Sequence, residues 1–207
     1  MSRLYALTAG ALAVAMLGAI AAFVYMGRGD DPYAACRQGQ IAGSGDIGGA
    51  FELVNGAGET VTNADVITKP SLLYFGYTFC PDVCPLDVSR NAAAIDVLAE
   101  RGYDVQPVFI SIDPERDTPE VVGEFAEVMH PEMVGLTGSP EQVKTASQAY
   151  RTYYRKQESD DPDYYLVDHS TFSYLVMPED GFVDFFRREL TPEQMADSVG
   201  CFLDAAS

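Results

Sequence analysis

Positive charge is scarce in this sequence. Thirteen basic residues stand against 31 acidic ones, and two of the thirteen, Arg3 and Arg28, flank an apolar run near the start. The remaining 11 against 31 leave about −20 on the rest of the chain. So acidic a surface repels phosphate backbones and anionic headgroups, which excludes nucleic acid as a ligand and a charge-driven hold on lipid. Most of that charge reads as a solvated face. Histidine is scarcer still, only His130 and His169, so a metal site can draw on two imidazoles at most. Internal repeats and low-complexity blocks are absent, and 47% hydrophobic with 21% charged residues excludes wholesale disorder. At 207 residues the chain has room for one domain with a real core and an accessory segment.

That accessory segment is the run Leu4 to Met26, 23 residues without a charge. As a helix it would extend roughly 35 Å, enough to cross a bilayer. Residues 1–28 are therefore expected to form a membrane anchor. The competing reading is a cleaved signal peptide ending at Ala19-Ile20-Ala21, although the apolar core of a signal peptide is usually only about 7–15 residues. Arg3 and Arg28 nearly balance, so orientation rests on the short end staying inside and the domain being exported. Residues 27 to 50 are rich in Gly, Asp and Ser; 29–42 are assigned to a tether and 43–207 to the domain.

Within the domain, FELVNGAGETV reads as a hairpin over Asn-Gly-Ala-Gly. SLLYFGYTF, residues 71–79, is almost continuously apolar, as in a strand covered on both faces. A helix is expected from Pro85 to about Glu100, stopped at Gly102, then a strand over 105–113. Thr118-Pro119-Glu120 opens a helix ending near His130-Pro131. Ser139-Pro-Glu-Gln142 and Thr191-Pro-Glu-Gln194 are capping boxes opening two more. STFSYLVM and GFVDFF flank Pro178 to Gly181 as a second hairpin. Strands alternating with helices, closed by a hairpin, imply an α/β mixed sheet with helices on both faces.

Cys80 and Cys84 then lie at the carboxyl end of a central strand, entering a helix. Open α/β sheets place their sites there, and the helix dipole favours the thiolate, which is both nucleophile and metal ligand. A plain disulfide or two buried thiols is the bland alternative. The flanking Pro81 and Pro85 and the short loop between the sulfurs favour a functional pair, since structural bridges staple distant segments. Of the three pairings open to four cysteines, a structural disulfide Cys36–Cys201 with Cys80 and Cys84 left together is the economical one. His130 reads as a cation at a helix end, and His169 as a residue of a loop entering the second hairpin. Asp82, Asp87 and Asp168 suit dipole partners, acceptors behind a metal ligand or a docking surface. SIDPERDTPE reads as strand end, turn and helix cap, with no catalytic role.

Three blocks, GYTFCPDVCPLD, FISIDPERDTPEVVGEFA and YLVDHSTFSYLVMPEDGFVDFF, resemble the signatures of the Sco/SenC family of membrane-anchored copper proteins. The resemblance runs from about residue 43 to the C-terminus. It implies a thioredoxin-like fold, an N-terminal transmembrane anchor, and copper held by Cys80, Cys84 and His169. The Cys36–Cys201 pairing lies outside the family pattern. Two thiolates and an imidazole form a soft to borderline set that suits Cu(I), with Cu(II) also open, whereas structural zinc normally has a fourth protein ligand.

From this resemblance the expected function is a metallochaperone, not an enzyme. It would pass copper by ligand exchange from an unidentified donor to the dinuclear centre of cytochrome c oxidase subunit II. A thiol-disulfide oxidoreductase cycling Cys80 and Cys84 to keep the acceptor's thiols reduced is the first alternative, though it gives His169 no work. A copper or redox sensor using the same residues is the second. The expected location is the bacterial inner membrane with the domain in the periplasm. The alternative is the mitochondrial inner membrane facing the intermembrane space, which the lack of an Arg- and Ser-rich, acid-poor leader disfavours.

Overall fold

The computed structural model describes residues 10, 12, 14–20, 22, 31–37, 47–161 and 164–206. The chain forms two compact units, Met1–Ala35 and Cys36–Ser207. In the first, residues 14–20 are helical. The anchor expected over residues 4–26 falls largely outside the described residues, and among those described no helix is long and apolar enough to cross a membrane.

The second unit runs β1 (Glu52–Asn55), β2 (Thr60–Thr62), α1 (Asn63–Val66), β3 (Ser71–Gly76), α2 (Val83–Glu100), β4 (Gln106–Ser111) and α3 (Pro119–Met129). It continues with β5 (Val134–Thr137), α4 (Pro140–Ala149), β6 (Tyr154–Lys156), β7 (Val167–His169), β8 (Ser173–Met177), β9 (Gly181–Phe186) and α5 (Pro192–Ala205). Seven strands form one sheet in the order β2-β1-β5-β4-β3-β8-β9. The middle strands β3, β4 and β5 run parallel. The hairpins β1–β2 and β8–β9 join antiparallel on either side, which makes the sheet mixed, as in the thioredoxin-like α/β fold. Every residue of β3 and of β8 is buried, so both faces of the sheet centre are covered. This is why SLLYFG is continuously apolar rather than alternating.

The helix starts follow local chemistry. Ser139 and Gln142, and Thr191 and Gln194, exchange side-chain and backbone bonds across the first turns of α4 and α5. Thr118 caps α3, with Pro119 at its first position. Each such cap is worth about 1 kcal/mol. Tyr103 and Arg101, just after α2, bond Asp204 and Asp197 of α5, so α2 and α5 pack together. Cys36 is joined to Cys201, in α5, by a disulfide closing a separation of 165 residues.

Three elements differ from the sequence expectation. Helix α2 begins at Val83, two residues before Pro85. Proline is tolerated at the third helical position because first-turn N–H groups have no intrahelical acceptor to lose. The short helix α1 was not expected; Asp65 accepts the Thr62 N–H at 2.8 Å and tightens the chain after β2. The chain between α4 and β8 folds into a separate two-stranded sheet, β6–β7, and His169 ends β7 opposite Tyr154 rather than lying in a loop.

Candidate metal centre

Strand β3 ends at Gly76, and the chain turns through residues 77–82 into α2. Two groups hold that turn. The Tyr77 carbonyl accepts the Cys80 N–H at 3.3 Å. Buried Asp117 accepts the Thr78 N–H at 3.0 Å, the Thr78 hydroxyl at 2.6 Å and the Ser111 hydroxyl at 2.6 Å. Cys80 sits in the turn and Cys84 in the first turn of α2, with the free Cys84 N–H aimed at Cys80 Sγ, 3.4 Å away. Gly76 makes room for this. A Cβ there would lie 2.8 Å from Tyr74 Cε1 and 3.1 Å from both Cys84 Sγ and Phe109 Cε2.

His169 arrives from the other side, 85 residues along the chain, with Nε2 3.2 Å from Cys84 Sγ. Its Nδ1 lies 2.8 Å from the Ser170 carbonyl oxygen. A carbonyl can only accept, so Nδ1 carries the proton and Nε2 presents its lone pair to the sulfurs. The edges of Tyr74 and Tyr77 box the imidazole, with ring centroids at 6.2 and 5.9 Å and nearly perpendicular planes. Cys84 is fully buried and Cys80 nearly so, while His169 is half-buried.

The three candidate ligand atoms lie within 4.8 Å of one another. A trigonal ion with metal–sulfur bonds near 2.3 Å and a metal–nitrogen bond near 2.0 Å sets its ligand atoms about 4 Å apart. The set is compact enough to close on a single ion. Among the described residues no other His, Cys, Asp or Glu group converges in this way.

Electrostatics divide the two thiols. The Cys80 pKa is pulled well below the ordinary thiol range, first by the hydrogen bond from Cys84, which outweighs burial, and further by the backbone N–H groups of Asp82 and Cys84. Cys84 is pushed up by Cys80 and by burial. The pair thus holds one proton, with the thiolate on Cys80. Burial also raises Tyr74, and pushes Tyr77 up to about 12, so both stay phenols and offer no competing anion.

The remaining singled-out residues separate from this centre. His130 caps the end of α3, where Nδ1 accepts the Glu132 N–H at 3.1 Å and Nε2 lies 3.4 Å from Asp96 of α2. Asp82 is exposed at the N-cap of α2. Asp168 bonds Arg155 and Gln157 on the exposed side of the β6–β7 ribbon, and those bonds lower its pKa. Asp87 is buried behind the site, accepting the Tyr74 hydroxyl at 3.0 Å with Arg90 at 3.6 Å and Arg188 at 3.7 Å. It is the buried member of an ion cluster whose Arg188 reaches the surface. The sequence reading missed Tyr74, Tyr77, Gly76 and the work of Asp113, Arg116 and Asp117. The signal available was an Asp-x-x-Arg-Asp run directly after an apolar strand in a chain short of basic residues.

A family model described as SCO1/SenC matches residues 39–204. The chain is 56% identical over 204 residues to Protein SenC of Rhodobacter capsulatus, covering 99% of this chain and 92% of that one. It is 47% identical over 166 residues to the mitochondrial SCO1 homolog 1 of Arabidopsis thaliana, covering 80% of this chain and about half of that one, 49%. Among solved structures, Arabidopsis thaliana ScoI with copper bound superposes with a TM-score of 0.73 at 46% identity, covering 76% of this chain and 99% of that one. Yeast Sco1 with copper bound gives 0.72 at 36% identity, covering 77% and 89%.

Proposed function

The chain belongs to the SCO1/SenC family, and from that premise we propose that it is a copper metallochaperone of cytochrome c oxidase assembly, with Cys80, Cys84 and His169 as the ligands of its cargo. The observation that carries this is the convergence of two sulfurs and one bare imidazole nitrogen within 4.8 Å. Two soft thiolates and one borderline nitrogen suit Cu(I), and the absence of a fourth converging group among the described residues disfavours structural zinc. Cu(I) meets a thiolate already formed on Cys80, displaces the proton of Cys84 and is completed by Nε2 of His169. Three ligands leave the ion one open approach, through which an incoming thiolate of the acceptor can bind before His169 lets go.

The acceptor we assign is oxidase subunit II, and the donor is a separate copper carrier. The mouth of the site supports docking. Phe79, next to Cys80, and Leu86, two residues past Cys84, are exposed, as is Tyr164, whose ring meets that of Phe79 at 5.4 Å. Exposed apolar side chains grouped at a functional opening mark a contact surface. The N-terminal segment would hold the domain at the membrane, in the bacterial periplasm, in keeping with a SenC relative from a bacterium and SCO1 relatives assigned to mitochondria.

A second reading has one observation in its favour. A low-pKa Cys80 backed by a buried Cys84 is also the arrangement of a thiol-disulfide couple. Separate Cys80→Ser, Cys84→Ser and His169→Ala variants in cells lacking the protein distinguish the two, with oxidase activity read with and without added copper. Loss in all three supports the chaperone. A fully active His169→Ala beside two dead cysteine variants transfers the function to thiol reduction.

A further inference from the structure

Resting on the copper reading, we propose that Arg116 is a positioning residue of the metal centre, tying the histidine ribbon to the cysteine loop so that His169 meets the two sulfurs. The site is assembled from two pieces that share no sheet. Cys80 and Cys84 lie on the turn between β3 and α2, whereas His169 ends β7, and the β6–β7 ribbon makes no ladder with the seven-stranded sheet. No ladder joins the ribbon to the cysteine loop itself. His169 leads through residues 170–172 into β8, which pairs with β3, and side-chain contacts complete the tie; Arg116 is placed between both pieces.

Its guanidinium carbon lies 3.6 Å from the ring centroid of Tyr165, four residues before His169. The same carbon lies 4.7 Å from the Phe79 ring and 5.7 Å from the Tyr77 ring, both on the cysteine loop. Hydrogen bonds fix it in register. One terminal nitrogen donates to the Tyr165 carbonyl at 3.0 Å, and Nε donates to Asp113 at 2.6 Å. The other oxygen of Asp113 accepts the Tyr165 hydroxyl at 2.6 Å, closing a triangle of Arg116, Asp113 and Tyr165. Both charged side chains are largely buried, with 16% and 4% of their surface exposed. The Val167 N–H adds a parallel tie by donating to the Tyr77 hydroxyl at 3.3 Å.

Only arginine can fill this position. A flat cation stacks on the Tyr165 ring and lies near those of Phe79 and Tyr77 while its N–H groups point in fixed, divergent directions, and a lysine ammonium has neither the face nor the fork. Arg116 acts on copper through the placement of His169.

The test is a double-mutant cycle on the full chain. Cu(I) affinity is measured against a competing chelator for wild type, Arg116→Ala, His169→Ala and the pair, with the ¹⁵N imidazole shifts of His169 recorded in the metal-free proteins. Arg116→Ala is expected to weaken Cu(I) binding about 10–100-fold, the usual effect of losing a residue that orients a ligand. It is expected to have no further effect once His169 is alanine, and the Nε2 shift is expected to move in the metal-free variant. Unchanged affinity in Arg116→Ala, or losses that multiply in the pair, would overturn the proposal. Should Arg116→Ala fail to fold, Arg116→Lys is read in its place, and a wild-type affinity and Nε2 shift there overturn it equally. If wild type itself holds no Cu(I), the copper reading falls, and the Nε2 shift alone decides whether Arg116 positions His169.

Discussion

Gly76→Ala adds one methyl group at the end of β3, where the new carbon would lie 2.8 Å from Tyr74 Cε1 and 3.1 Å from Cys84 Sγ and Phe109 Cε2. None of the three neighbours can yield freely. Tyr74 is held through its hydroxyl by Asp87, Phe109 is fully buried in β4, and Cys84 is fixed in the first turn of α2. Overpacking of this kind costs about 1–3 kcal/mol. At about 2 kcal/mol, a domain of this size should lose roughly 4–8 °C in Tm. Because one of the displaced atoms is a candidate ligand sulfur, Cu(I) affinity should fall along with stability. Thermal unfolding of the metal-free protein, paired with chelator competition, reads both. A variant with wild-type Tm and wild-type affinity would show that the β3 end and the sulfur are not packed as described, and the steric account of the site would fail.

Two further outcomes follow from the geometry. The Cys80 pKa lies below that of a free thiol and the Cys84 pKa above it. As pH falls through the range below about 8.5, where an unperturbed thiol protonates, Cys80 should stay a thiolate and Cys84 a thiol. Timed alkylation at about pH 6, followed by peptide mapping, should label Cys80 first; equal rates at the two cysteines would refute the shared-proton description. Paired Cys36→Ser and Cys201→Ser changes open the crosslink across 165 residues and should cost about 2–5 kcal/mol in urea unfolding while sparing Cu(I) affinity. A loss of affinity without a loss of stability would contradict a purely structural bridge.

Much of the sheet could be read from residues alone, for a physical reason. Strands β3 and β4 are buried on both faces, so they appear as unbroken apolar runs, and α3, α4 and α5 each open on Thr or Ser followed by Pro and Glu. The ribbon β6–β7 escaped because Tyr-Arg-Lys and Val-Asp-His are too short to show an alternation, and most of their side chains are not buried. The cysteines announced themselves by position at a strand end. His169 did not, since a single histidine carries no local signature, and it entered only through the resemblance of its sequence block to a known family. The surroundings of the site, with the edges of Tyr74 and Tyr77, the bonds of Asp117 to Thr78 and the stacking of Arg116, join residues distant in sequence. Contacts of that kind leave no spacing to read.

X-ray absorption on the copper-loaded full chain bears most directly on the claim that Cys80, Cys84 and His169 hold the ion. The account predicts one Cu(I) per chain with two sulfur neighbours at about 2.3 Å and one nitrogen neighbour near 2.0 Å. In His169→Ala the nitrogen shell should disappear while the sulfur shell remains. A copper shell of nitrogen and oxygen alone, or one that is unchanged in a variant lacking both Cys80 and Cys84, would contradict it.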